Sequence, residues 1–177
     1  NIAEISRTQG RLQVAEEKFL EALALQEKQH GRDSVYVSAT LNNLGELRRQ
    51  QGKLQEAEQL ARRALAIREK ALGPNHADVA ASLNNLALVF MRQGRVAEAE
   101  GLLLRVLTIQ EKAFGVDHPN VAIALNNLAD AKARADRKKE AEGLFRKSLA
   151  IREKSLGPNH LDVAIALDNL VVLIGDD

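Results

Sequence analysis

Three histidines, His76, His118 and His160, stand 42 residues apart, and three histidines in a chain raise the question of a bound metal. Packed helices lie about 8–10 Å apart, so residues one helix pair removed are separated by about 10 Å or more. Zinc ligands sit about 2 Å from their ion. The three cannot share one ion, and each is expected to make a contact at the start of a helix instead. His30 is read as a helix-end residue. The chain has no glycine-rich phosphate loop, no Gly-x-Ser-x-Gly and no His-Glu-x-x-His. Its carboxylates recur at intervals and do not converge. The sequence therefore predicts no enzyme, no catalytic residue, no metal and no cofactor.

Paired asparagines carry more information. Asn42-Asn43, Asn84-Asn85 and Asn126-Asn127 recur at the same 42-residue step, and Asp168-Asn169 follows in register. Asparagine is several tenths of a kcal/mol worse than alanine in a helix, by approximate propensity scales, so repeated mid-helix pairs need a reason. A side-chain amide both donates and accepts. It can hold the backbone of an extended peptide, or it can tie one helix to the next. Arginines accompany the pairs: Arg92 and Arg134 share a register and Arg49 lies one residue off it. They could select acidic side chains through charge-assisted contacts, or remain solvated, where exposed charges do little. Glu69-Lys70 and Glu111-Lys112 are read as solvated charge.

The elements that position these residues are visible in the period. Leu41, Leu83, Leu125 and Leu167 begin the four related segments; Ala15-Glu16 returns as Ala57-Glu58, Ala99-Glu100 and Ala141-Glu142. Gly10, Gly52 and Gly94 are followed in register by Asp136. Such a period marks repeat architectures. Within one period Val79, Leu83, Leu86, Ala87 and Phe90 recur at helical spacing and predict a helix over 79–93. Gly94 stops it by supplying a left-handed residue, a conformation Asp136 also tolerates. A second helix is predicted from Val96 to Phe114, with Val96, Ala99, Leu102, Leu103, Val106, Leu107 and Ile109 as its stripe. Gly115 closes it, and Pro119 suits the first turn of the helix that follows. One such hairpin cannot bury both faces, so hairpins must stack as a solenoid. The expected division is a partial repeat at 1–34, repeats at 35–76, 77–118 and 119–160, and a terminal capping helix at 161–177, partly polar through Asp168. Asn1 occupies the register of Asn43, so the chain opens inside a helix.

Composition agrees. Aromatics are 3% of the chain and hydrophobic residues 45%, with few prolines, which suits helix packing better than a sandwich or barrel. Net charge is +1, which gives no general attraction to nucleic acid or to an anionic membrane. Stacking aromatics and a basic stripe are also lacking. With no cysteine, disulfides and thiolate chemistry are excluded. No apolar run reaches membrane-spanning length.

The run Leu83-Asn84-Asn85-Leu86-Ala87, Gly94, Glu98-Ala99-Glu100 and Ile109-Gln110-Glu111-Lys112 resembles the 42-residue tetratricopeptide repeat of kinesin light chains. So do Ala66-Ile67-Arg68-Glu69-Lys70 with Leu72-Gly73, Ala150-Ile151-Arg152-Glu153-Lys154 with Leu156-Gly157, and the loop Asp117-His118-Pro119-Asn120-Val121-Ala122. The resemblance implies an all-α, right-handed α-solenoid of antiparallel helix pairs. It departs from the family at one register, where an aromatic is frequent: only Phe90 keeps it, and Arg48 and Lys132 stand in its place.

In proteins of this kind the first helix of each pair lines a concave groove. Carried over by register, that implies Ala39, Asn42, Asn43, Glu46, Arg49 and Gln50 in one unit. The next offers Ala81, Asn84, Asn85, Leu88, Met91 and Arg92. The third offers Ile123, Asn126, Asn127, Asp130, Ala133 and Arg134, and the last helix Ile165, Asp168, Asn169 and Val172, with Glu4 and Arg7 added by the opening segment. The resulting expectation is a cytoplasmic scaffold that binds a protein or peptide partner, in the form of an extended, acidic segment, with no nucleic acid and no membrane. Two alternatives stand beside it: a homo-oligomer formed through the solenoid ends, and a sensor arm of a larger ATPase or protease protein.

Overall fold

The computed structural model of the chain describes residues 12–175. The partial first helix expected from the sequence, with Glu4, Arg7 and Gly10, lies outside the described residues. Eight helices and no strand occur among the described residues: α1 Leu12–His30, α2 Val35–Gln50, α3 Leu54–Leu72, α4 Ala77–Arg92, α5 Val96–Phe114, α6 Pro119–Arg134, α7 Lys138–Leu156 and α8 Leu161–Gly175. The chain divides into two compact units, Asn1–Gln93 and Gly94–Asp177. The first holds α1–α4 and the second α5–α8.

Helix ends follow local chemistry. The three repeat histidines are N-caps. Nδ1 of His76, His118 and His160 each accepts a hydrogen bond of 3.1 Å from the backbone N–H two residues on, which satisfies one of the orphan donors of a first turn. Pro119 sits in the first turn, as its sequence position suggests. Asp136 adopts φ 59°, the left-handed conformation that Gly94 adopts in the equivalent turn with φ 77°.

In the first unit α2 packs between α1 and α3. Ala15 and Phe19 of α1 meet Leu44 and Leu47 of α2, and Val37 and Leu41 of α2 meet Ala64 and Ile67 of α3. The second unit repeats the pattern with α6 between α5 and α7. Val121, Ala122 and Leu125 meet Ile151; Ala129 meets Ala141, Phe145 and Leu170. These side chains sit at the three- and four-residue steps read from the sequence, which is why one face of each helix is apolar and buried.

One expectation needs correction. The last helix is not a polar cap: Val163, Ala166 and Leu170 are buried, but Leu167, Val171, Val172 and Ile174 are exposed. Asp168 alone does not make that face polar. At the register of the missing aromatics the two cations are held by ion pairs. Arg48, buried, pairs with Glu16 of α1 at 2.8 Å and Glu56 of α3 at 3.0 Å. Lys132 pairs with Glu100 of α5 at 3.0 Å and Glu140 of α7 at 2.7 Å. A cation between two carboxylates fills the register that Phe90 fills in the repeat between them.

Candidate functional site

The groove registers fall on α2, α4, α6 and α8, and the structure sorts them. Asn42 is 6% exposed, and its Nδ2 donates to Ser82 Oγ on α4 at 3.0 Å. It serves the stack and is not a groove residue, because its amide cannot meet a partner in solvent. Met91 is likewise buried and withdrawn from the groove. Asn43 and Asn85 are half-buried, as are Asn84 and Leu88, and Ala39, Ala81 and Arg92 are exposed. In this unit, then, Asn42 alone of the four asparagines is fully buried, and the other three keep part of their surface in solvent.

Asn42 belongs to a buried network that the sequence did not reveal. Arg68 of α3 is 9% exposed. Its Nε donates to Ser38 Oγ at 2.9 Å, and one terminal nitrogen donates to the Asp78 carbonyl at 2.7 Å and to Ser82 Oγ at 3.1 Å. Desolvation lowers the guanidinium's pKa from its ordinary value, with Asp78 opposing weakly. The network ties the start of α4 to α2 and α3. Ser38 and Ser82 were the available signal: both are small hydroxyls at otherwise apolar helix positions.

In the second unit the groove registers converge. Asn126, Asp130 and Ala133 of α6, with Asn169 and Val172 of α8, line a cleft of about 300 Å³ together with Phe145 and Leu173. Asn169 Nδ2 donates to Asn126 Oδ1 at 2.8 Å. That leaves a donor on Asn126 and an acceptor on Asn169 uncommitted among the described residues. Ile123 and Ile165 stay about half exposed and do not pack between helices. Asn127 is half-buried and Asp168 exposed. The register rule missed Phe145, because it belongs to the second helix of its pair.

The arginines divide. Arg49 makes two 2.7 Å hydrogen bonds to the Glu46 carboxylate, which raises its pKa above the ordinary value. Arg134 bonds Asp130 at 3.0 Å. Arg92 is exposed and has no ion-pair partner among the described residues.

A profile of the tetratricopeptide repeat matches residues 1–70, 36–95 and 78–154. The chain belongs to the tetratricopeptide repeat family, and its 42-residue units are of the kinesin-light-chain-like type. A comparison with curated protein sequences gives no significant match. Among solved structures, the chain is similar to a Podosopora anserina protein provisionally assigned as a kinesin light chain with nearly identical TPR-like repeats. The identity is 28% over 99% of this chain and 84% of that one, with a TM-score of 0.80. A single-substitution variant of that protein gives a TM-score of 0.81 at the same identity. BtubC (BKLC) of P. vanneervenii shares the fold, with 23% identity over 98% of this chain and 70% of that one and a TM-score of 0.83. Tetratricopeptide repeats are protein-interaction scaffolds, and that is the function class of this chain. No described helix is long and apolar enough to cross a membrane.

Proposed function

We propose that the chain is a protein-binding scaffold whose first-helix faces hold an extended segment of another protein. The observation that carries this reading is the cleft in the second unit, where Asn126 and Asn169 present one open donor and one open acceptor beside Val172, Phe145 and Leu173. An extended backbone offers the complementary pair at every residue, and the apolar walls take a side chain whose burial adds about 1–2 kcal/mol. In the first unit Asn43 and Asn85, both half-buried, keep the register of Asn169. A preference for acidic segments rests on Arg92, since Arg49 and Arg134 already hold Glu46 and Asp130.

Peptide display on the whole chain tests this. Extended sequences should be enriched, and the combined Asn126→Ala and Asn169→Ala substitutions should remove that enrichment while leaving the helical circular dichroism unchanged. Arg92→Glu should shift the enriched set away from acidic residues. Undiminished enrichment in the double variant would sink the cleft as the binding site.

A further inference from the structure

We propose that a second cleft, between α5 and α7, takes an arginine side chain of another protein, with the guanidinium held by Glu111 and the stem laid on an apolar floor. This cleft, of about 440 Å³, shares no lining residue with the Asn126–Asn169 cleft. Val121, Leu125 and Ile151 are buried and form its floor, and the partly buried Leu107 and Leu144 pack against them. Glu111 lines it from α5 and Lys147 from α7, and the loop before α6 adds Val116 and Asp117.

The first unit supplies the template for the occupant. There Arg63 of α3 donates from one terminal nitrogen to the Glu27 carboxylate of α1 and to the Arg32 carbonyl, each at 2.7 Å. The arginine bridges α3 and α1, and both it and Glu27 are half-buried. Two repeats on, Glu27 becomes Glu111, Arg32 becomes Val116 and Arg63 becomes Lys147. The repeat between keeps glutamate and arginine at these registers, as Glu69 and Arg105. The change to lysine is thus confined to residue 147. Lys147 and Glu111 are both exposed, and they make no ion pair among the described residues. Lysine offers a compact, strongly hydrated ammonium where arginine offers a planar fork of donors. The carboxylate and the loop carbonyl therefore remain, while the guanidinium that would join them is gone. Asp117 is already engaged by Lys154, so Glu111 is the carboxylate left for a partner. An arriving arginine meets that acceptor with its head, and its methylene stem gains from apolar surface such as Val121, Leu144 and Ile151 provide.

Amide chemical shifts of the isotope-labelled whole chain test this, with capped Ala-Arg-Ala, Ala-Lys-Ala and Ala-Glu-Ala peptides added to about 10 mM. The arginine peptide should shift Glu111, Val116, Asp117 and Leu144 in a saturable way, and the other two should not. Glu111→Gln should raise its Kd about tenfold. Lys147→Arg should rebuild the bridge seen in the first unit and abolish the shifts, whereas Lys147→Gln should keep them. Both positions are exposed, so helical circular dichroism should be unchanged in all three variants. The combined Asn126→Ala and Asn169→Ala substitutions should leave the response intact, which keeps this site separate from the peptide-binding reading above. No shift with the arginine peptide overturns the proposal. So does an equal response to the lysine peptide, a response that survives both Glu111→Gln and Lys147→Arg, or one that vanishes in the double asparagine variant.

Discussion

Glu100 is the point at which three helices of the second unit are joined by charge. It accepts from Lys132 of α6 at 3.0 Å and from Arg137 beside the start of α7, and Lys132 also reaches Glu140 at 2.7 Å. Its side chain is 17% exposed, that of Arg137 37%. Glu100→Gln keeps the shape and removes the charge. Hydrogen bonds to charged groups contribute about 1.5–3 kcal/mol; the more exposed Arg137 contact is screened by solvent and adds little. The expected loss at neutral pH is about 2 kcal/mol, a fall in Tm of roughly 4–8 °C for a chain of this size. The penalty must also depend on pH. Arg137 first, then Lys132, holds the Glu100 carboxyl below its ordinary pKa, against a smaller opposing effect of burial. The folded state then binds the proton more weakly than the unfolded state. The stabilisation is complete above the ordinary glutamate value, about 4.3, and is lost as pH falls through the depressed folded value. Urea unfolding followed by circular dichroism should therefore separate the two proteins at pH about 7 and bring them together at pH about 2. A penalty that survives acidification, or one below about 0.5 kcal/mol at neutral pH, would refute the assignment of this junction to charge.

Three further outcomes are expected from stability measurements. His118→Ala removes an N-cap and a ring stacked 4.6 Å from Phe114, and should cost about 1 kcal/mol; His118→Asp should retain most of the cap. An equal cost for the two would deny the capping role. Asp136→Gly should raise stability by about 1 kcal/mol, because φ 59° strains a residue with a Cβ and not glycine; no gain in Tm means the aspartate side chain compensates locally. Arg68→Met strands the Asp78 carbonyl and loosens the Ser38–Ser82 bridge, costing about 2 kcal/mol. Amide hydrogen exchange should accelerate at the start of α4, and unaltered protection there would show that the network contributes nothing.

The helical architecture was legible in the sequence because repeat spacing and helical spacing are both periodic signals, and many unlike residues share them. Gly94, Gly115 and Pro119 marked helix limits within a residue or two of those observed, since each has a conformational preference of its own. The site was legible only by register. Register separates the half-buried Asn85 from buried positions on the same helix, yet it treats Asn42 and Asn43 as equivalent members of a pair. What divides them is the neighbour each meets: Asn42 finds Ser82, a residue 40 positions away whose hydroxyl no local pattern flags. Arg48 and Lys132 were visible as departures, but their consequence was not, because Glu16, Glu56, Glu100 and Glu140 look like ordinary surface charge until the helices carrying them are brought together.

The substitution of a cation for an aromatic at every second unit limits how such a chain can be cut and rejoined. Arg62 lies over the Phe90 ring at 5.3 Å. Counted back the same distance from Arg48 and Lys132, in the preceding unit each time, stand Leu20 and Leu104. Positive and apolar groups thus exchange places from one unit to the next. Excising residues 77–118 would set Arg62 against Lys132, like charge on like. Excising residues 35–118 would set Leu20 against Lys132, a leucine facing a cation as in the intact chain. Loss of residues 77–118 by themselves is accordingly disfavoured relative to loss of 35–118, and an engineer who removes that one repeat must carry the complementary change at Arg62.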